Sequence, residues 1–179
     1  MKYFFLSATL FLAAVAYGQN YTPQDAGSKI HFVIKNFGIN TGGDLSGTDG
    51  KIVFDAKKPA ASSFDVTVKV STVDTDNEKR DEHLKADEYF DAEKYPVIHI
   101  VSTSIKQGAD LMHFNFTGKL TIKNVTKTIS FPFTAQKKDA GAIFEGNFEI
   151  DRTDFGVGSG SAVMGDKVKV SLSVYAKAG

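Results

Sequence analysis

The 179-residue chain balances 21 basic against 21 acidic residues and contains 15 Phe, no Cys and no Trp. Balanced charge leaves no surplus of Lys and Arg to neutralise a nucleic-acid backbone, and without Cys there is no disulfide, thiolate metal site or cysteine nucleophile. At 42% hydrophobic and 23% charged, a chain of this length has the composition of one globular domain.

Met1-Lys2 precedes an unbroken apolar run from Tyr3 to Tyr17, with small residues at Ala13, Ala14, Ala16 and Gly18. The run lacks the polar face of a surface helix and is short for a membrane span, so residues 1–18 read as a secretory signal peptide. Cleavage falls before Gln19, with cleavage after Ala16 as the alternative, and no Cys follows to carry a lipid. Residues 19–179 are then a single exported domain, periplasmic or secreted, that keeps every Phe except Phe4, Phe5 and Phe11.

From Lys29 onward apolar and polar residues alternate, the period of strands with one buried and one wet face. Short runs come first, at Ile30, Phe32 and Ile34, then at Ile52 and Phe54. A longer one follows at Phe64, Val66, Val68 and Val70. Residues 75–95 break the period: Thr75 and Glu78 stand at capping-box spacing before good helix formers, Asp87 offers a second cap, and Tyr95-Pro96 closes the segment. This reads as one or two short helices. Val97 to Ile105 is apolar on both faces, which predicts a strand covered on both sides by that insert.

Alternation resumes at Phe114, Phe116, Gly118, Leu120 and Ile122, then at Ile129, Phe131 and Phe133. It continues at Phe144, Gly146, Phe148 and Ile150, and finally at Val168, Val170, Leu172 and Val174. Pro132 inside one run predicts a bulge or the border of a hydrogen-bonding gap. Turn signals such as Thr41-Gly42-Gly43, Lys123-Asn124 and Asp139-Ala140-Gly141 leave connections short enough for hairpins. About eight strands in this pattern form an all-β fold, an antiparallel barrel or a sandwich, and barrel closure removes exposed edges.

An eight-stranded barrel is either filled by its own side chains or holds one ligand. A face bearing Phe32, Phe54, Phe64, Phe114, Phe116, Phe131, Phe133, Phe144 and Phe148 suits a packed aromatic core. Gly118 and Gly146 on the same face leave space and suit a tunnel. Each buried methylene contributes roughly 0.8 kcal/mol, so a long chain reaches the binding ceiling of about 20 kcal/mol on area alone. Such a tunnel selects by length, width and head group.

Several segments together resemble the YceI-like family of lipid- or polyisoprenoid-binding proteins. They are Val73-Asp74-Thr75, Arg80-Asp81-Glu82-His83-Leu84, Tyr89-Phe90-Asp91 and Lys94-Tyr95-Pro96-Val97-Ile98, then Gly118 through Lys127, Arg152-Thr153-Asp154-Phe155-Gly156 and Gly165-Asp166-Lys167-Val168. The resemblance spans essentially all of residues 19–179. It implies an extended lipocalin-like barrel of about eight strands with a short helical insert at residues 75–95. It also implies a hydrophobic tunnel for an isoprenoid or other long-chain amphiphile, and an extracytoplasmic location. The chain departs from the family at Lys35-Asn36-Phe37, where many members carry His, and at Asn124, where Gly is usual; Asn tolerates the left-handed backbone of a tight turn.

The expected tunnel wall comprises Phe32, Ile34, Phe54, Phe90, Ile98, Ile100, Phe114, Phe116, Leu120, Phe131, Phe133 and Phe148. Arg80, Asp81, His83, Arg152 and Asp154 are the polar candidates for its mouth. Arg80 and Asp81 equally suit hydrogen bonds that tie the insert to the rim, and Arg152 and Asp154 suit a brace for an end loop. His31, His83, His99 and His113 stand in separate elements without ligand spacing, so no metal site and no cofactor beyond the bound lipid is expected. The expected partner is a long-chain apolar small molecule, with a homodimer as an alternative assembly, and neither nucleic acid nor stable membrane insertion. Two other readings are an outer-membrane barrel, whose apolar face would point outward, and a lipid-acting enzyme built on Arg80, Asp81 and His83.

Overall fold

The computed structural model describes residues 18–179 of the chain. Apart from Gly18, the expected signal peptide lies outside the described residues. The alternating runs form strands β1 (Gln19–Pro23), β2 (Lys29–Asn36), β3 (Ile39–Leu45), β4 (Asp49–Phe54) and β5 (Ser63–Lys69). Helix α1 (Glu78–Lys85) follows, and then β6 (Val97–Gln107), β7 (His113–Ile122), β8 (Val125–Lys138), β9 (Gly141–Asp151) and β10 (Met164–Ala178).

Ten segments make eight strands' worth of barrel. All pairings are antiparallel, and β4 through β10 pair in chain order. The ring closes through β1, which joins β10 to β4 at one end; at the other end β2 pairs β10 and β3, and the outer edge of β3 is bridged only at Asp44 and Asp74 among the described residues. β1 and β2 are thus two halves of one interrupted strand, and β3 and β4 are two halves of its neighbour. The interruptions lie opposite one another and are stapled by Asp25, whose carboxylate accepts from Gly47 N–H at 2.9 Å, Thr48 N–H at 2.8 Å and Thr48 Oγ1 at 2.7 Å.

Polar side chains face out. Lys69, Lys119 and Lys169 are exposed while their apolar neighbours point inward, the reverse of a lipid-facing barrel wall. Among the described residues, no helix is long and apolar enough to cross a membrane.

Three expectations require correction. β6 is not covered on both sides. A bulge between Ser102 and Ser104 shifts its register, so Ile105, which pairs Phe116, turns inward beside Ile98 and Ile100. Val97 stays outside and is exposed. The cap of α1 is Asn77, which accepts from Arg80 N–H at 3.1 Å, rather than Thr75, and the residues after α1 form turns rather than a second helix. The left-handed residue of the β7–β8 hairpin is Lys123, with φ 55°, rather than Asn124. Pro132 does border a gap: β8 pairs β9 only from Phe133 onward, although β7 pairs β8 along its whole length.

Candidate functional site

The inward face divides into two regions. Toward the β1 end, Phe54, Phe64, Phe114, Phe133 and Phe144 interlock edge to face, with Phe54 rings 5.0 Å from Phe114 and 5.3 Å from Phe144. Ile52, Ile105 and Ala176 fill in behind them. This web plugs one end of the barrel. Phe54 and Phe114, expected on a tunnel wall, are therefore part of the plug: both are buried in this cluster and neither lines the cavity beyond it.

Beyond the plug lies an apolar cavity of about 250 Å³, larger than the ~150 Å³ that admits a benzene. Phe32, Ile34, Phe90, Ile98, Ile100, Phe116, Leu120, Phe131, Phe133 and Phe148 line it. Aliphatic residues complete the wall: Val66 and Val68 on β5, and Val168, Val170, Leu172 and Val174 on β10. Their alternation is plain in the sequence, but alternation assigns them to the inward face without distinguishing cavity wall from packed core. Along β10 the lining runs from Met164 to Val174, a path of about 30 Å at ~3.3 Å per residue.

Gly118 and Gly146 make room indirectly. A Cβ on Gly118 would lie 2.5 Å from the Phe116 ring, and one on Gly146 would lie 2.9 Å from Phe131. The missing side chains let those rings lie over the wall, where Phe131 stacks on Phe116 at 4.9 Å and on Phe148 at 4.8 Å. Stacking against the wall keeps the axis open.

The far end is covered by the insert and by the loop after β9. Leu84, Tyr89 and Phe90 of the insert line the cavity, as does Val157 of the loop. Three polar contacts hold the two covers together. Gly158 N–H donates to Glu88 O at 2.9 Å, and Lys123 Nζ donates to Asp87 O at 2.9 Å and to Gly156 O at 3.2 Å. No local pattern signals this role of Lys123, since it depends on a hairpin, an insert and a loop meeting in space.

Arg152 is buried and lines the cavity, but its three nitrogens donate to its own loop and to the start of β10, at Val157 O at 2.8 Å, Gly165 O at 3.0 Å and Asp166 Oδ1 at 2.9 Å. Asp154 lies outside, 3.6 Å from Lys127. Arg80 lines the cavity and donates to Thr75 through Nε, at 2.8 Å to Oγ1, and Nη2, at 2.6 Å to the carbonyl. Buried Asp81 accepts from Thr75 N–H at 2.9 Å and from its hydroxyl at 2.5 Å. Thr75 adjoins Asp74, whose backbone exchanges hydrogen bonds with Asp44 of β3. Arg80 and Asp81 thereby tie the insert to the rim.

His83 is exposed, 3.5 Å from Glu88 and packed edge-on against Tyr89, and does not line the cavity. The structure therefore does not bring Arg80, Asp81 and His83 to one point in the cavity. His31, His99 and His113 each sit 2.6–2.7 Å from one aspartate, Asp44, Asp65 and Asp110. Among the described residues no cluster of three or more such side chains is placed to hold a metal.

A profile of the YceI-like domain matches residues 21–176. The UPF0312 protein YE1254 of Yersinia enterocolitica is 32% identical, over 94% of this chain and 92% of its own length. Among solved structures, Burkholderia cenocepacia BcnA superposes with a TM-score of 0.80 at 29% identity, covering 86% of this chain and 98% of that one. The Campylobacter jejuni YCEI protein follows at 0.68 and 28%, covering 75% and 83%. A polyisoprenoid-binding domain from Saccharophagus degradans shares the fold at 0.73 and 16% identity, covering 89% and 98%. Matched along nearly its whole barrel, the chain belongs to the YceI-like domain family.

Proposed function

We propose that this protein is an exported carrier that holds one long-chain isoprenoid or similar amphiphilic lipid inside its barrel. The observation that carries this reading is the cavity: almost wholly apolar in its lining, plugged by Phe rings at one end and bordered by Arg80, Thr75 and Asn36. A site of this kind recognises a chain by fit and a head by its few polar groups. The Saccharophagus degradans domain, described as polyisoprenoid-binding, supports the same ligand class. Export is supported by the leader-like residues 1–18 and by β1 beginning at Gln19.

Binding without chemistry fits the arrangement, because the polar groups beside the cavity are committed to backbone carbonyls and to Thr75 rather than to one another as acid and base. Lipid extraction and mass spectrometry of the protein recovered from its native cell test the reading. A stoichiometric long-chain isoprenoid or amphiphile is expected, and N-terminal sequencing should begin at Gln19. Recovery of an empty protein that takes up no such chain when offered one would overturn it.

A further inference from the structure

Three exposed apolar residues stand together at the barrel end away from the plug. Phe37 and Ile39, at the turn joining β2 to β3, are 74% and 70% exposed, and Val163, just before β10, is 44% exposed. Phe37 N–H donates to Val163 O at 2.8 Å, which brings the two segments side by side. The tip stands in open space: a Cβ added to Gly38, or to Gly160 in the loop before β10, would meet nothing within 4 Å. Next to it, Asn36 and Met164 pair across β2 and β10, and both line the cavity. The patch therefore adjoins the cavity's end.

Phe37 is doubly unfavourable where it stands. It has φ 50° in a two-residue turn with Gly38 at φ 77°, a left-handed pair that Asn-Gly forms with little strain and a bulky residue seldom adopts. It also holds an aromatic ring in water, which Asn at the same place would avoid. Strain and exposure in one residue point to a contact outside the chain.

The chemistry of the patch identifies that contact. Residues 36–43 and 155–165, which build this end, contain no ionisable side chain. The charges at their borders are matched within the chain, Asp44 by His31 and Lys29, Asp154 by Lys127 and Asp166 by Arg152, and Lys35 is exposed beside them. Phe37, Ile39 and Val163 together expose on the order of 300 Å², well below the ~800 Å² per partner of a stable protein interface. A bilayer requires no matching shape: it takes up a few apolar side chains at a projecting tip, each worth about tenfold in partitioning. Residues 75–95 at the same end hold more acidic than basic side chains, which disfavours an anionic surface.

We infer that Phe37, Ile39 and Val163 dip into the surface of a bilayer with uncharged or zwitterionic head groups and seat the barrel there with the cavity's end toward the membrane. The inference rests on the carrier reading for its purpose, since a chain held in the barrel is taken from or returned to such a surface.

Flotation with palmitoyloleoylphosphatidylcholine vesicles tests this. The protein should float with them, and continue to do so at high salt, whereas Phe37→Asn/Ile39→Thr should partition at least about tenfold less. That double variant should remain folded and take up geranylgeraniol from vesicle-free solution as the parent does. Because the chain has no Trp, Phe37→Trp reports insertion: its emission should shift to the blue when vesicles are added. Leu111→Trp, on the exposed β6–β7 turn at the plugged end, should show no shift. A parent that does not float, equal flotation of the double variant, release at high salt, a shift at Leu111→Trp alone, or a parent dimer that the double variant abolishes in place of vesicle binding would overturn the docking tip. With geranylgeraniol uptake retained, each of those results leaves the carrier reading standing. A parent that floats yet takes up no geranylgeraniol would overturn the carrier reading and uphold the tip.

Discussion

At Gly43 the tolerance for added atoms is measured in tenths of an ångström. A Cβ there would lie 2.5 Å from Phe32 Cζ, 2.6 Å from Thr75 Cγ2 and 2.9 Å from the Asp74 carbonyl. The backbone of the Asp44–Asp74 bridge cannot shift without breaking that bridge, so Gly43→Ala should cost about 1–3 kcal/mol in denaturant unfolding. Arg152 presents the opposite case, a large buried side chain each of whose three nitrogens donates a hydrogen bond. Arg152→Met strips partners from Val157 O, Gly165 O and Asp166, and should cost about 1–3 kcal/mol through the acceptors left unpaired. A change below 0.5 kcal/mol, on the order of ordinary surface substitutions, would show that the loop repacks without it.

The interrupted strands and the β8–β9 gap set the behaviour of the elements. Hydrogen bonds from the Thr48 hydroxyl and amide, with Gly47 N–H assisting, hold the Asp25 carboxyl below the usual range. A depressed folded-state value contributes stability that is present above the ordinary pKa of about 3.9 and is lost as pH falls through the folded value. The difference in Tm between the parent protein and Asp25→Ala should therefore be constant near neutrality and shrink at acid pH. A difference that persists unchanged to pH 2 would contradict the staple. In β8, the Val125–Phe131 amides turned toward β9 have no strand partner and should exchange hydrogen faster than those of Phe133–Lys138. Uniform protection along β8 would contradict the gap.

Legibility followed the range of the interaction. Period-two alternation depends on residues two apart, so the strands and their inward faces could be read directly, as could the gap at Pro132. The bulge at Thr103 could not, because it is decided by pairing with β7, and it turned an apparent two-faced strand into an ordinary one. Arg80, Asp81 and Arg152 are legible as polar ties because charged side chains beside apolar runs need hydrogen-bond partners, although the same residues equally suited the tunnel mouth. The Lys123 clamp and the Asp25 staple join segments far apart in sequence and leave no local pattern. Phe54 and Phe114 show why inward did not mean lining: the alternation fixes a face, whereas position along the axis decides between plug and cavity.

For the whole molecule, the packed core and the open tunnel are both present, stacked along one axis. The Phe web toward the β1 end supplies close-packed apolar burial, a second packed cluster around Leu120, Ile122, Phe155 and Val157 lies beneath the insert and the loop after β9, and the cavity borders both. Val170 sits where the two requirements can be separated. It lines the cavity from β10, paired with Phe32 on one side and Phe148 on the other, and lies away from the plug. Native mass spectrometry of the parent protein and of Val170→Trp after incubation with geranylgeraniol tests the central claim most directly. The account predicts one bound chain per parent molecule and a folded Val170→Trp variant that stays empty; no complex with the parent, or the same complex with both, would contradict it.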